Sequence, residues 1–200
     1  MKKLIITAIL FLSGTVIFAQ TNLLSLGWNI NFPGNTDYLT KTSFAGGKID
    51  YRHILKHKNI SLGVSLDWAS YEQYFPSQTF QKPDGNGAVT SDFVAQVYQV
   101  PFVATMHYYF SESKRVKPFA GIGLGASYME QSLFYNVYES DENNWGFVAR
   151  PEIGAIIKSK DNNWGLLLGA NYSIATNKTE SIDRNSFNSF GINIGLVFME

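Results

Sequence analysis

The 200-residue sequence predicts an all-β fold, an eight-stranded antiparallel up-and-down transmembrane β-barrel. Three observations predict it. Apolar residues alternate with small or polar ones over eight separate stretches, which is the period of a strand with two unlike faces. The connections between these stretches alternate between short and long, as they do in outer-membrane barrels. Aromatic residues gather at the ends of the stretches, at the heights of two membrane–water interfaces.

The central hairpin carries the pattern most clearly. Val100, Phe102, Ala104, Met106, Tyr108 and Phe110 share one parity, and Ala120, Ile122, Leu124, Ala126 and Tyr128 alternate with Gly121, Gly123, Gly125 and Ser127. The short charged link at 111–117 makes the two arms antiparallel neighbours. Taken in order, the strands are expected at about 22–32, 43–55, 60–71, 92–110, 118–130, 145–158, 164–175 and 187–198. Their apolar faces read Leu24, Leu26, Trp28, Ile30 and Phe32 in the first, Ile60, Leu62, Val64, Leu66 and Trp68 in the third, and Trp164, Leu166, Leu168, Ala170, Tyr172 and Ile174 in the seventh. Connections 56–59, 111–117 and 159–163 are short and charged, whereas 33–42, 72–91, 131–144 and 176–186 are longer and polar. Short turns place one rim in the periplasm and long loops place the other outside. A strand of about 12 residues at about 3.3 Å each, tilted by about 40°, rises about 30 Å, enough for an apolar band of about 25 Å.

The lipid-facing side follows from cost. Lys48, Asp50 and Arg52 share one parity of the second strand, Asp67 lies on the third, and Arg150 and Glu152 lie on the sixth. A Lys or Arg turned to mid-bilayer lipid costs about 2–4 kcal/mol. Turned inward, the six form a neutral lumenal ionic cluster of structural character, surrounded by Gly, Ser and Asn that a narrow bore can hold. One irregularity is expected in the fourth strand. Phe93, Ala95 and Val97 are apolar on odd positions and Val100, Phe102 and Ala104 on even ones, so a β-bulge near 98–101 would change the phase and accommodate Pro101. Pro151 has no comparable explanation from sequence.

Composition removes several functions. A hydrophobic fraction of 45% with 15% aromatics is not that of a disordered chain, and 16 basic against 16 acidic residues give no field for nucleic acid. The absence of cysteine excludes disulfides, thiolate zinc sites, a cysteine nucleophile and an N-terminal lipid-modified cysteine. Residues 1–19 read as a signal peptide, with Lys2 and Lys3 before an apolar run and Ala19 before the cut, leaving 20–200 as the barrel domain. His53, His57 and His107 have no metal-ligand spacing, and His107 reads as a hydrogen-bonded lumenal side chain. Gly121, Gly123 and Gly125 lack the strand–turn–helix setting of a phosphate loop. No cofactor and no metal site is implied.

The sequence 100–128, with "VPFVATMHYYF" leading through a turn into "KPFAGIGLGASY", resembles the small outer-membrane β-barrel domain of Bacteroidetes-type bacteria, the outer membrane protein β-barrel family with its PorT-like branch. The resemblance implies an eight-stranded barrel in the outer membrane of a Gram-negative cell. His53 and His107 fall at the periplasmic end, far from the long loops, so the protein is expected not to be an enzyme, and one acting on envelope lipid is a disfavoured alternative. The expected role is contact with an extracellular or envelope partner through the long loops, carrying Tyr74, Phe75, Phe80, Phe134, Tyr135 and Tyr138, with outer-membrane lipid around the barrel. A narrow pore for ions or small solutes and a PorT-like place in secretion machinery are the alternatives. A soluble lipocalin-type barrel would instead turn Leu62, Leu66, Ile122 and Leu168 to the centre.

Overall fold

A computed structural model describes residues 22–34, 39–55, 59–81, 88–111, 115–135, 138–160, 163–178 and 186–200. The segments 1–19 and 56–58 lie outside these, so the signal peptide and His57 are not described. Eight strands follow one another: β1 (Asn22–Pro33), β2 (Ser43–Ile54), β3 (Ile60–Gln81), β4 (Ala88–Tyr109), β5 (Val116–Tyr135), β6 (Tyr138–Lys158), β7 (Trp164–Ala175) and β8 (Phe187–Met199). Each pairs with its sequence neighbours, and β8 closes on β1 to complete the barrel. The seam is tied at the turn rim, where Asn22 and Glu200 exchange backbone hydrogen bonds of 3.1 and 3.0 Å.

The apolar parity faces outward. Leu62, Leu66, Ile122 and Leu168 are 47%, 40%, 41% and 44% exposed, which excludes the lipocalin arrangement. Aromatic pairs mark both ends of this belt. Phe32 and Phe190 lie 5.9 Å apart, and Tyr128 and Trp145 lie 5.3 Å apart, toward the outer rim. Tyr108 and Phe110 lie 5.4 Å apart toward the turn rim. Trp68 lies over Gly47, whose missing side chain leaves room for the indole; a Cβ there would meet it at 2.1 Å.

Two expectations are corrected. The strands β3 to β6 do not end at the membrane: 72–81, 88–91, 131–135 and 138–144, expected as loops, are paired strand. Nor is there a bulge at 98–101. The β4–β5 register runs unbroken from Val94↔Phe134 to Tyr109↔Phe119, and β3–β4 keeps one register across that point. The observed shifts fall between Phe75 and Gln78 and between Asn29 and Asn31. Ala95 and Val97 are apolar because the upper lumen is apolar, not because the strand turns over. Parity is constant and the environment of the inner face changes.

Both prolines have the same local account. The β3–β4 pairing is interrupted where Pro101 meets Asp67, and the β6–β7 pairing where Pro151 meets Tyr172, in each case without a register change. A proline has no N–H for the ladder, so one bond is lost on one side while pairing on the other side continues.

Candidate functional site: the filled lumen and the outer wall

The lumen is stacked in three layers. Nearest the turn rim, Leu23, Tyr109, Phe119, Ile156, Leu167, Val197 and Met199 form an apolar floor. Nearest the outer rim, Leu39, Ala69, Tyr71, Val97, Met129 and Phe187 form an apolar lid, with the Tyr71 and Phe187 rings 5.4 Å apart edge to face. Between them lies the ionic layer.

Lys48, Asp50, Arg52, Asp67, Arg150 and Glu152 are 1–4% exposed. Lys48 Nζ reaches Glu152 Oε1 across the bore at 2.9 Å, and Arg150 Nε lies 2.7 Å from the same oxygen. Arg150 also pairs with Asp67 and donates to Ser65 Oγ at 3.0 Å. Ser65 Oγ and Asn29 Nδ2 donate to the two Asp67 oxygens at 2.8 and 3.1 Å. His107 Nε2 lies 2.9 Å from Glu152 Oε2. An ionised carboxylate only accepts, so that nitrogen carries the proton. Arg52 and Asp50 form a separate pair on one strand, and the guanidinium stands 5.0 Å over the Phe119 ring, joining the ionic layer to the floor.

The β5 glycines make this layer possible. Gly121 stands in register between His107 on β4 and Glu152 on β6. A Cβ on it would lie 2.2 Å from the His107 ring and 2.5 Å from the Met106 carbonyl. Gly123 occupies the corresponding place between Thr105 and Arg150. The bare face of β5 is thus the space into which the large ionic side chains fold. Sequence reasoning found the six charges and the small face separately; their shared parity and cross-strand register join them. His107, Ser65 and Asn29 complete the layer. Their signal in the sequence is the same inward parity.

Two small cavities lie among the described lumenal residues. A cavity of about 20 Å³ lies among Asn29, Asn31, Tyr71, Arg150 and Asn171, and one of about 10 Å³ lies among Lys48, Arg52, Glu152 and Asn193. Each has room for about one water.

Above the lid, β3 to β6 continue as a four-stranded wall on one side of the barrel. β2 last pairs at Ala45↔Ser70, whereas β3–β4 pairing continues to Gln81↔Ala88. Those 11 residues span about 36 Å along the strand at about 3.3 Å each. On the outer face, the girdle row holds Trp68, Tyr128 and Trp145. The next row holds Tyr98, Glu130 and Asn143, and the next Glu72, Gln96, Ser132 and Asp141. Tyr74 donates to Asp92 Oδ2 at 3.2 Å, and that hydrogen bond to a carboxylate holds the phenol above its usual range. Phe75 and Phe93 stack across the hairpin, with centroids 4.4 Å apart. Phe80, Tyr135 and Tyr138 lie on strands, but their side chains are outside the described residues.

A closed eight-stranded barrel with a lipid-facing apolar belt, two aromatic rows and its charges inside is an integral outer-membrane protein. The chain belongs to the outer membrane protein beta-barrel domain family, whose model it matches over residues 7–198. Solved structures share the fold. The Yersinia pestis attachment invasion locus protein Ail, solved with the heparin analogue sucrose octasulfate, is 14% identical, with 92% of this chain and 100% of that one covered at a TM-score of 0.53. Neisserial surface protein A is 15% identical, with 90% and 96% covered at 0.54. A major outer membrane protein from Thermus thermophilus is 9% identical, with 92% and 100% covered at 0.59. No curated protein is matched by sequence.

Proposed function

We propose that the protein is a non-conducting, non-enzymatic outer-membrane barrel that holds a rigid β-wall outside the cell for contact with another macromolecule. The observation that carries this reading is the division of the molecule. Among the described residues the lumen is filled by two apolar layers with an ionic layer between them, and the surface that rises clear of the membrane is the wall. The described histidines support the non-enzymatic part, since His53 bonds Asn22 at the turn rim and His107 is sealed in the ionic layer. The wall's chemistry differs from that expected for a sulfated sugar such as the one bound to Ail. Its described residues include Glu72, Asp92, Glu130, Asp141 and Glu142 and no Lys or Arg. A partner with a cationic or aromatic surface fits it better. No observed residue selects the PorT-like branch over others in the family.

The test is cross-linking on intact cells with the full chain and with a chain lacking 77–90. Loss of the cross-linked species on removing the hairpin end is the expected result. An unchanged pattern refutes the wall as the contact surface. Planar-bilayer recordings test the other half: steady single-channel currents from the full chain refute the non-conducting reading.

A further inference from the structure

Between the ionic layer and the lid, the bore holds a row of amide side chains around a glycine. Asn31 on β1, Gly191 on β8 and Asn171 on β7 stand side by side in register, and the β1–β2 register shifts at the same height, between Asn29 and Asn31. Asn29, Asn31 and Asn171 are 3%, 7% and 6% exposed. All three line the cavity of about 20 Å³, which touches Asp67 and Arg150 on one side and Ala69 and Tyr71 on the other. Each also carries a buried polar atom with no partner in the protein: Asn29 Oδ1, Asn31 Nδ2 and Asn171 Nδ2. The orientation of Asn29 is fixed. Its Nδ2 donates to the Asp67 carboxylate at 3.1 Å, and a carboxylate only accepts, so the amide oxygen is the free end. A buried polar atom left unpaired bears its full desolvation cost, and three at one cavity mark a site built for a polar occupant. Gly191 leaves the room for it. A Cβ there would lie 2.9 Å from the Asn171 amide and 3.0 Å from Asn31 Oδ1.

We propose that this cavity is the binding site of one resident water molecule, which joins the lid to the ionic layer. Size and chemistry select that occupant. The volume has room for about one water. The free amide atoms are two N–H donors and one carbonyl acceptor, and the hydroxyls of Tyr71 and Ser189 line the same space and can turn to accept. A water accepts from Asn31 and Asn171, donates to Asn29 Oδ1 and keeps one hydrogen for a hydroxyl, which satisfies the two to four partners that hold a buried water. An anion would face the Asn29 carbonyl and the Asp67 carboxylate, and a cation would face two amide N–H groups and Arg150. A neutral occupant also leaves the six lumenal charges balanced. The smaller cavity among Lys48, Arg52, Glu152 and Asn193 lacks this set, since Asn193 Oδ1 is the one unpartnered atom of those four residues. The water completes a polar link between layers: Arg150 pairs with Asp67, Asp67 holds Asn29, and Tyr71 belongs to the lid. The site is inside the barrel and independent of the function proposed for the wall.

The experiment is water-edited solid-state NMR on the isotopically labelled full chain in lipid bilayers, with the Asn31 and Asn171 side-chain amides assigned by sequential correlation. The expected result is transfer of water magnetisation to both amides at short mixing. It is expected to persist in Y71F/S189A and to be lost in G191A, where the added methyl pushes both amides into the cavity. Absence of transfer to Asn31 or to Asn171 in the unmodified chain overturns the proposal. Transfer that disappears in Y71F/S189A assigns the signal to hydroxyl protons, and transfer undiminished in G191A puts the water elsewhere; either result overturns it. Should G191A not fold, the unmodified chain and Y71F/S189A decide. Bromide located at the site by its anomalous scattering in crystals assigns an anion and also overturns it.

Discussion

At the scale of single residues, the lumen turns on a contrast between what is large and what is absent. Glu152 receives Lys48, Arg150 and His107, and replacing it by Gln leaves the buried Lys48 facing a neutral partner and Arg150 with Asp67 as its remaining carboxylate. Removing one member of a buried ionic set costs about 3–5 kcal/mol. Glu152→Gln is therefore expected to lower the unfolding free energy in lipid vesicles by about that amount, read from urea titration of the barrel's circular dichroism; a change within about 0.5 kcal/mol, as for an ordinary surface substitution, would count against the network. Gly121 is the matching absence. Gly121→Val places a side chain against the His107 ring and a backbone carbonyl that has nowhere to go. Overpacking of this kind costs about 1–3 kcal/mol, so the same titration is expected to shift in the same direction. The Gly121→Val and Glu152→Gln effects are expected to be non-additive, because the valine acts by displacing the His107 that Glu152 holds.

At the scale of elements, the sequence was legible where lipid forces the pattern and illegible where it does not. Between the aromatic rows every outward position has to be apolar, so alternation locates the strands and the inward charges. Above the outer girdle the outward face meets water instead of lipid and no longer has to be apolar. A strand such as 72–81, rich in Gln, Ser and Thr with Pro76 in it, then reads as a loop. What keeps it a strand is cross-strand pairing that composition does not announce: the Phe75–Phe93 stack and the Thr79–Thr90 hydroxyl bond of 2.8 Å. The bulge expected in β4 has a related cause. Polar inner faces would put Ala95 and Val97 on the lipid side, yet they pack in the apolar upper lumen. The layered lumen is a tertiary property, since Leu39 and Phe187 come from remote segments to form the lid. These facts fix an expectation for the β3–β4 hairpin. The lid uses nothing beyond Tyr71 and Val97 on these strands. A chain lacking 77–90 is therefore expected to fold into the membrane with unchanged heat-modifiable mobility in electrophoresis. Loss of the folded band would mean that the outer hairpin supports the barrel.

At the scale of the whole molecule, a nominally neutral chain is strongly polar along its axis. The described outer wall is acidic, the described turn rim at β5–β6 is basic, and the six charges between them cancel. This ordering bears on conduction. In a pore, ionic side chains at the constriction set the current, and their removal widens a continuous water path. Here the ionic layer lies between two apolar ones, and neither the floor nor the lid includes Arg150 or Glu152. Arg150→Ala with Glu152→Ala empties the middle layer but leaves both ends closed. The double variant is thus expected to be less stable than the parent and still to carry no single-channel current in planar bilayers. A rise in current from this variant alone would mean that the ionic layer had been the only seal, and that Phe119, Ile156, Tyr71 and Met129 do not close the bore. A second variant separates the cases. Adding Phe119→Ala and Tyr71→Ala removes a large ring from each apolar layer, and a sealed three-layer lumen is expected to leak only once these are gone.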